Sequence, residues 1–514
     1  GEKAEGIFEK RYGYDPVTGN SAMPVPKDPG NGEGFKYSDL VSYANAMDQL
    51  SGQEIEENRF ASFYGALDYS LFDRYVLNVS FRTDGSNNFG SDEQFNPTWS
   101  AGAVWHVSEE TFMEVVRPVL SRLSLRVATG YTGNINKTVK PNLMMKYYKN
   151  FRISDDENYR MGYINNAPNP KLRWEKTRDV KVALDFGLWK DRINGIVEAY
   201  WRKSKDCVTS EYVPVTTGFF NQSYNTSVLQ NNGVEFSLSV AVLKSKDYNL
   251  SVSANVAWNQ NKLKKYNSPN TSLALDKYVG YPMGAVFSGK YEGIDPETGM
   301  YKFKLRPDAV TNKDGYLREP NNYYYYLGTS VAPFTGGFNL NFSYKNIGLS
   351  VGGSYSVKAK MVDNIESPAG YELLSGSKLE SIPTPHNDLY RNHLNVKREV
   401  RNRWTPENRT GVKYPRLIDA YGKKLGLDLT NPTLTTITRG ALLEDISYLR
   451  INTIALSYSL PQRVLERINF SSAALNLTLN NFFTITKYSG IDPEVPGATY
   501  PVSRSVTIGL NVGF

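Results

Sequence analysis

The strongest constraint on this chain lies at its end. In residues 505–514, Val506, Ile508, Leu510, Val512 and Phe514 fall on one side of an extended backbone, and Ser505, Thr507, Gly509, Asn511 and Gly513 on the other. Successive side chains of a strand point to opposite faces, so a period of two held to the last residue specifies a strand with one apolar and one polar face. The pattern recurs upstream. Leu475, Leu477, Leu479, Phe483 and Ile485 alternate with Asn476, Thr478, Asn480, Thr484 and Thr486, with one break in phase at Asn481. Phe338, Leu340, Phe342 and Tyr344 turn at Lys345-Asn346 into Ile347, Leu349, Val351, Tyr355 and Val357, a hairpin. Val180 to Leu188 leads through residues 190–192 into Ile193, Val197 and Trp201, and Val234 to Val242 leads through 244–247 into Leu250, Val252, Val256 and Trp258. A strand from about residue 59 to 69 turns at Phe72-Asp73-Arg74 into Tyr75, Leu77, Val79 and Phe81. With 99–107, 123–131 and 448–460, whose phase is clean only from Ile454, the count is thirteen, and a pair between Pro282 and Leu305 would make it fifteen.

The polar faces carry Arg82, Arg126, Lys181, Asp185, Glu198 and Glu235 among Asn, Ser, Thr and Gly. A dry core could not accept these groups without partners, whereas a wet lumen can. Connections alternate short and long. Brief turns at Phe72, Lys190, Lys244, Lys345 and Pro461, and a longer one at 108–120 that should hold a helical turn, alternate with segments 84–94, 132–173, 204–230, 262–332, 362–444 and 487–502. Soluble domains do not place a long loop on every second connection, but outer-membrane barrels do, with short periplasmic turns and long external loops. No run of 18 apolar residues is present, which excludes a membrane-spanning helix but not a barrel, whose strands are only half apolar. The expected fold class is therefore all-β, a transmembrane antiparallel β-barrel. Tyr75, Tyr131, Trp201, Trp258 and Tyr344 near strand ends suit its interface girdles. The first and last strands both run toward the short turns, so the count is odd, and single-chain bacterial barrels close with an even number. At least one strand is expected before residue 59.

Other chemistry is thin. Lys and Arg number 59 against 52 Asp and Glu, a net +7 without clustering, which does not describe a nucleic-acid surface. A lone cysteine, Cys207, excludes an internal disulfide, and His106, His386 and His393 have no zinc-ligand spacing. The repeated Ile-Asp-Pro-Glu at Ile294 and Ile491 reads as a turn rather than a cation site, as does Tyr14-Asp15-Pro16. Asp155-Asp156-Glu157 reads as a solvated acidic loop. No phosphate-binding glycine loop, nucleophile elbow or His-Glu-x-x-His occurs, so no enzyme, metal or cofactor is expected.

Several motifs resemble the SusC/RagA family of TonB-dependent outer-membrane transporters. They are Phe81-Arg82-Thr83-Asp84-Gly85-Ser86, Asn96-Pro97-Thr98-Trp99-Ser100-Ala101-Gly102, Ala128-Thr129-Gly130-Tyr131-Thr132-Gly133-Asn134 and Asn169-Pro170-Lys171-Leu172-Arg173-Trp174-Glu175-Lys176-Thr177. Further along come Asn232-Gly233-Val234-Glu235, Gly293-Ile294-Asp295-Pro296-Glu297-Thr298-Gly299, Arg403-Trp404-Thr405-Pro406-Glu407-Asn408, Tyr414-Pro415-Arg416-Leu417 and Gly490-Ile491-Asp492-Pro493-Glu494. They span about 59–514. The resemblance implies the C-terminal part of a 22-stranded, plugged barrel in the cell outer membrane of a Gram-negative bacterium. It further implies active import of oligosaccharides or peptides, with a SusD-like surface lipoprotein as lid and energy from TonB. The plug domain, the rest of the barrel and the TonB contact are expected on an N-terminal portion absent from this sequence. Residues 1–58 are expected as an extracellular loop region and 59–514 as barrel strands with long extracellular loops.

Candidate contacts for substrate or lid are Tyr323, Tyr324, Tyr325, Tyr326 and Trp404 in external loops. Trp404 is favoured as loop structure, and the tyrosines serve equally well for stacking or loop packing. Arg82, Arg126 and Glu235 are candidates to line the lumen, where they could instead pair with the plug. The rival readings are a passive porin or surface adhesin on a barrel, and a secreted β-sandwich glycan-binding protein.

Overall fold

The structure, a computed structural model, describes residues 2–9, 51–134, 139–154, 157–219, 221–266, 278–297, 299, 301–309, 322–362, 402–412, 439–496 and 500–514. Asp155, Asp156, the Tyr14-Asp15-Pro16 turn, the Tyr414–Leu417 motif, His386 and His393 lie outside the described residues.

Thirteen strands form one antiparallel meander in which each pairs with its neighbours in sequence. They are β1 (Phe60–Leu71), β2 (Tyr75–Ser86), β3 (Phe95–His106), β4 (Leu120–Asn134), β5 (Glu175–Leu188), β6 (Ile193–Tyr212) and β7 (Asn221–Lys244). β8 (Tyr248–Lys265), β9 (Phe334–Tyr344), β10 (Ile347–Val357), β11 (Tyr448–Ser459), β12 (Ser472–Thr486) and β13 (Ser505–Gly513) complete it. These are the thirteen segments that the alternation marks. The sheet is open, with β1 and β13 at its edges, and among the described residues no second sheet packs on it as a sandwich requires.

The pair expected between Pro282 and Leu305 exists, but outside the main sheet. Ala285–Gly289 pairs with Tyr324–Thr329, and Tyr291–Ile294 with Tyr301–Phe303. At three to six residues these strands fall short of the ~9–11 that a tilted strand needs to cross a bilayer. The count of thirteen therefore stands for the main sheet, without the additional pair. The segment 204–230 also differs from its expected loop: β6 and β7 carry 20 and 24 residues, so their hairpin continues far beyond a bilayer. Glu2–Glu9 pairs with Ser51–Asn58, which runs through Arg59 into β1.

The break at Asn481 is a β-bulge. Ile451 pairs with Phe483 and Thr453 with Asn480, so Asn452 on β11 faces two residues of β12. Asn481 takes φ +60° there and donates through Nδ2 to the carbonyl of Ser503 at 3.0 Å. At the opposite end, Phe72 and Asp73 both adopt φ +55°, and Arg74 N–H closes the β1–β2 turn on Leu71 O. The β3–β4 connection holds two 3-10 turns, Val107–Glu109 and Thr111–Met113, and the β11–β12 connection a short helix, Gln462–Arg467.

One face of the sheet is an open apolar surface. Ile508, Leu510 and Phe514 are 73%, 67% and 91% exposed, and Leu77, Val79, Phe81 and Leu475 continue the face across neighbouring strands. A soluble monomer rarely leaves so continuous an apolar face uncovered.

Candidate functional site

The inner face divides into two arcs. Along β2 to β7 it is charged and paired. Arg82 Nε lies 2.8 Å from both carboxylate oxygens of Asp84. Arg126 grips Asp185 through Nε at 2.6 Å and Nη2 at 3.1 Å. Lys181 Nζ stands 3.4 Å from Glu198, and Arg202 holds Asp179 at 2.8 Å. Glu235 is the register partner of Glu198, so two carboxylates sit side by side on adjacent strands. The three lumen candidates thus all lie on this arc, with both arginines neutralised by carboxylates of the wall.

From β8 to β13 the same face, apart from Arg450 toward the mouth, is largely a carpet of amides and hydroxyls. Ser350 donates to Asn341 Oδ1 at 2.8 Å, Thr453 to Asn480 Oδ1 at 3.0 Å, and Asn480 Nδ2 to Ser505 Oγ at 3.0 Å. Each group satisfies its neighbour while leaving further capacity for water or solute.

At the long-loop end, inserted segments knit into a mouth. Lys360–Val362 pairs with Leu443–Asp445, and Ala359, Ile446 and Tyr488 form a small buried core with Ala332 and Met361 packed against it. Arg439–Leu442 crosses Ala285–Gly289 so closely that a Cβ on Gly440 would stand 1.9 Å from Gly289 O. No larger residue fits there.

Both Ile-Asp-Pro-Glu motifs are Asx turns, as expected for Asp-Pro. Asp295 Oδ1 accepts from Glu297 N–H at 2.8 Å, and Asp492 Oδ1 from Glu494 N–H at 2.9 Å. Asp492 also carries a buried ion pair that sequence reading missed. Arg450 and Asp492 keep 3% and 6% of their side-chain exposure, and Arg450 Nη1 reaches Glu494 at 2.8 Å. Burial opposes the charge of Asp492, but the N–H groups of Glu494 and Val502 and the Arg450 guanidinium outweigh it and hold the carboxyl below its usual range. Nothing in sequence links residues 42 apart.

The candidate aromatics separate. Trp404 is 6% exposed, and its indole N–H donates to Pro296 O at 3.0 Å, fastening one loop motif to another. Tyr325 donates to Leu305 O at 2.8 Å. Tyr326 joins Tyr278, Tyr281 and Phe287 in a ring cluster, lying 4.9 Å from Tyr281 and 5.7 Å from Phe287 between centroids. Tyr324 pairs with Gly289 in the short ladder and Tyr323 precedes it, half-buried. Among the described residues no group of three or more His, Cys, Asp or Glu is placed to hold a metal.

An antiparallel wall that is apolar outside, polar inside, turned tightly at one end and looped at the other defines the wall of an outer-membrane β-barrel. The chain belongs to the TonB dependent receptor-like β-barrel family, whose model matches residues 11–365. It is 27% identical over 488 residues to TonB-dependent receptor SusC of Bacteroides thetaiotaomicron, covering 89% of this chain and 44% of that protein. It is 26% identical over 498 residues to TonB-dependent receptor P26 of Formosa agariphila, covering 89% and 46%. The RagAB peptide importer in its closed-closed state superimposes with a TM-score of 0.73 at 25% identity, covering 90% of this chain and 49% of the RagAB chain. The chain thus spans about half the length of the curated relatives it matches, and these relatives are receptors and transporters rather than enzymes.

Proposed function

We propose that this chain supplies the C-terminal wall and mouth of a TonB-dependent active importer of oligosaccharides or peptides. The likeness to the RagAB peptide importer across 90% of the chain carries this reading. A wall with a wet, hydrogen-bonding inner face and long loops gathered at one end supports it.

In this reading the Glu2–Glu9 and Ser51–Asn58 hairpin lies on the external side, leading into β1, and the remaining strands and a plug pair with the open edges and the charged inner arc. A SusD-like lipoprotein closes over the mouth, and TonB pulls the plug from the periplasm. Tyr326 and its ring cluster face substrate or lid, Trp404 holds its loop in place, and Arg82, Arg126 and Glu235 line the lumen. The chain itself carries out no chemical step.

The test uses the native full-length protein in its own strain. Purification in detergent should bring down a surface lipoprotein, and uptake of radiolabelled oligopeptide or oligosaccharide mixtures should stop when the proton-motive force is dissipated. Uptake indifferent to that treatment would establish a passive pore instead.

A further inference from the structure

A pocket of about 500 Å³ lies in the mouth between the extended ends of β6 to β8 and the segment that crosses them. Its floor includes Cys207, Ser227, Leu229 and Leu263, and its roof Met283 and Val286. Leu229 lies six residues from Glu235 on one strand, hence on the same inner face. The roof is pinned by backbone hydrogen bonds. Gly280 N–H donates to Leu263 O at 2.7 Å, Leu263 N–H to Tyr281 O at 2.8 Å, and Met283 N–H to Asn261 Oδ1 at 2.8 Å.

Among the described residues no charged side chain lines the pocket, and its described walls are chiefly aliphatic and aromatic. Its volume falls in the ordinary range for small-ligand sites, ~300–1,000 Å³. Of its hydroxyls, Thr209 is engaged with Thr226 and Ser330 with Gly284 O. Ser227 is different: it is 4% exposed, and its Oγ has no hydrogen-bond partner. A buried hydroxyl left open costs stability unless something answers it.

We propose that this pocket is a substrate subsite for an uncharged, apolar residue of an oligopeptide, with the Ser227 hydroxyl donating to that residue's backbone carbonyl. A sugar would carry several hydroxyls into a space whose described lining is chiefly apolar and holds one buried hydroxyl without a partner, and a charged side chain would lose its hydration without compensation. The inference rests on the importer reading above and narrows its cargo to peptides with an aliphatic or aromatic side chain. Burial, reinforced by the carboxylate of Glu175, pushes the Cys207 thiol up to about 11. It is therefore a slow nucleophile and a reporter placed in the pocket wall.

The experiment uses the full-length protein with its co-purifying partners in detergent. The rate at which methyl methanethiosulfonate modifies Cys207 is read by mass spectrometry of the peptide that carries it. Acetyl-Gly-Leu-Gly-amide and acetyl-Gly-Phe-Gly-amide should slow that rate at least tenfold, while acetyl-Gly-Gly-Gly-amide and maltotriose leave it within twofold. Ser227→Ala should weaken the protecting peptide about fivefold, the loss of one hydrogen bond, and Ala285→Trp should abolish protection by filling the space. Absence of protection by both apolar peptides on a barrel of normal heat-modifiable migration overturns the subsite, as does equal protection by maltotriose. Energised uptake in the same strain separates the two claims. Uptake without protection removes the subsite alone, and protection without energised uptake removes the importer reading while the pocket stands.

Discussion

Asp492 shows how much one side chain can carry in a mouth built from loops. Removing Asp492 leaves the buried Arg450 with only the more exposed Glu494 as carboxylate partner, so Asp492→Ala should lower the unfolding free energy by about 1–3 kcal/mol, measured by guanidinium titration of the refolded barrel. The pH dependence follows from the depressed carboxyl. A group whose native pKa lies below its unfolded value stabilises fully above that unfolded value, here 3.8, and the contribution is lost as pH falls through the native value. Limited proteolysis between pH 6 and 3 should therefore find the 487–496 segment resistant until the medium drops below about pH 4, then cut. Asp492→Asn should be cut across the whole range. At the turn end, Glu110 accepts from Tyr75 Oη at 2.5 Å and Trp105 Nε1 at 3.1 Å and pairs with Arg74. The Tyr75 hydrogen bond, then that of Trp105, holds its carboxyl below the usual range, and the cluster gathers two aromatic side chains on one anion.

At the scale of the element, alternation is interrupted only where a backbone device intervenes, and the β11–β12 bulge is the clearest case. Asn481 sits in the left-handed region, which Asn and Gly enter readily and β-branched residues do not. Asn481→Val should therefore cost about 1–2 kcal/mol, with Asn481→Gly close to neutral, in the same guanidinium titration. A loss with Gly as large as that with Val would mean that the Nδ2 bond to Ser503, rather than the backbone angle, holds the bulge. The long β6–β8 strands show the other device: residues beyond the bilayer become the floor of the mouth, so one strand serves as wall and site. Thr209, Ser227 and Leu263 belong to strands, beside register shifts at Cys207 and Leu229, and line a pocket.

The whole molecule is defined by which face meets which solvent. Ile508→Arg should cost about 2–4 kcal/mol, because it places a guanidinium in hydrocarbon, whereas Thr507→Arg on the lumen side should cost close to nothing. Folding of the full-length barrel into lipid vesicles measures both, and equal costs would refute the assignment of faces. The existence, order and facing of all thirteen strands were legible in residue order alone, and so were the turns at Phe72 and Lys345 and the odd parity of the count. A bilayer imposes on every strand the same local condition, apolar on one side and hydrogen-bonded along its length, and a condition repeated residue by residue leaves a period that a sequence displays. The mouth obeys no such rule. Trp404 meeting Pro296 across 108 positions, Arg450 meeting Asp492 across 42, and Ser227 left open beneath Met283 depend on how loops of unlike length fold back over one another. Tyrosines could be marked as candidates from their type, but their separation into a ring cluster and a loop brace arises from contacts between distant segments. Only the tertiary structure brings those segments together, because their packing is set by shape and burial rather than by any repeat along the chain.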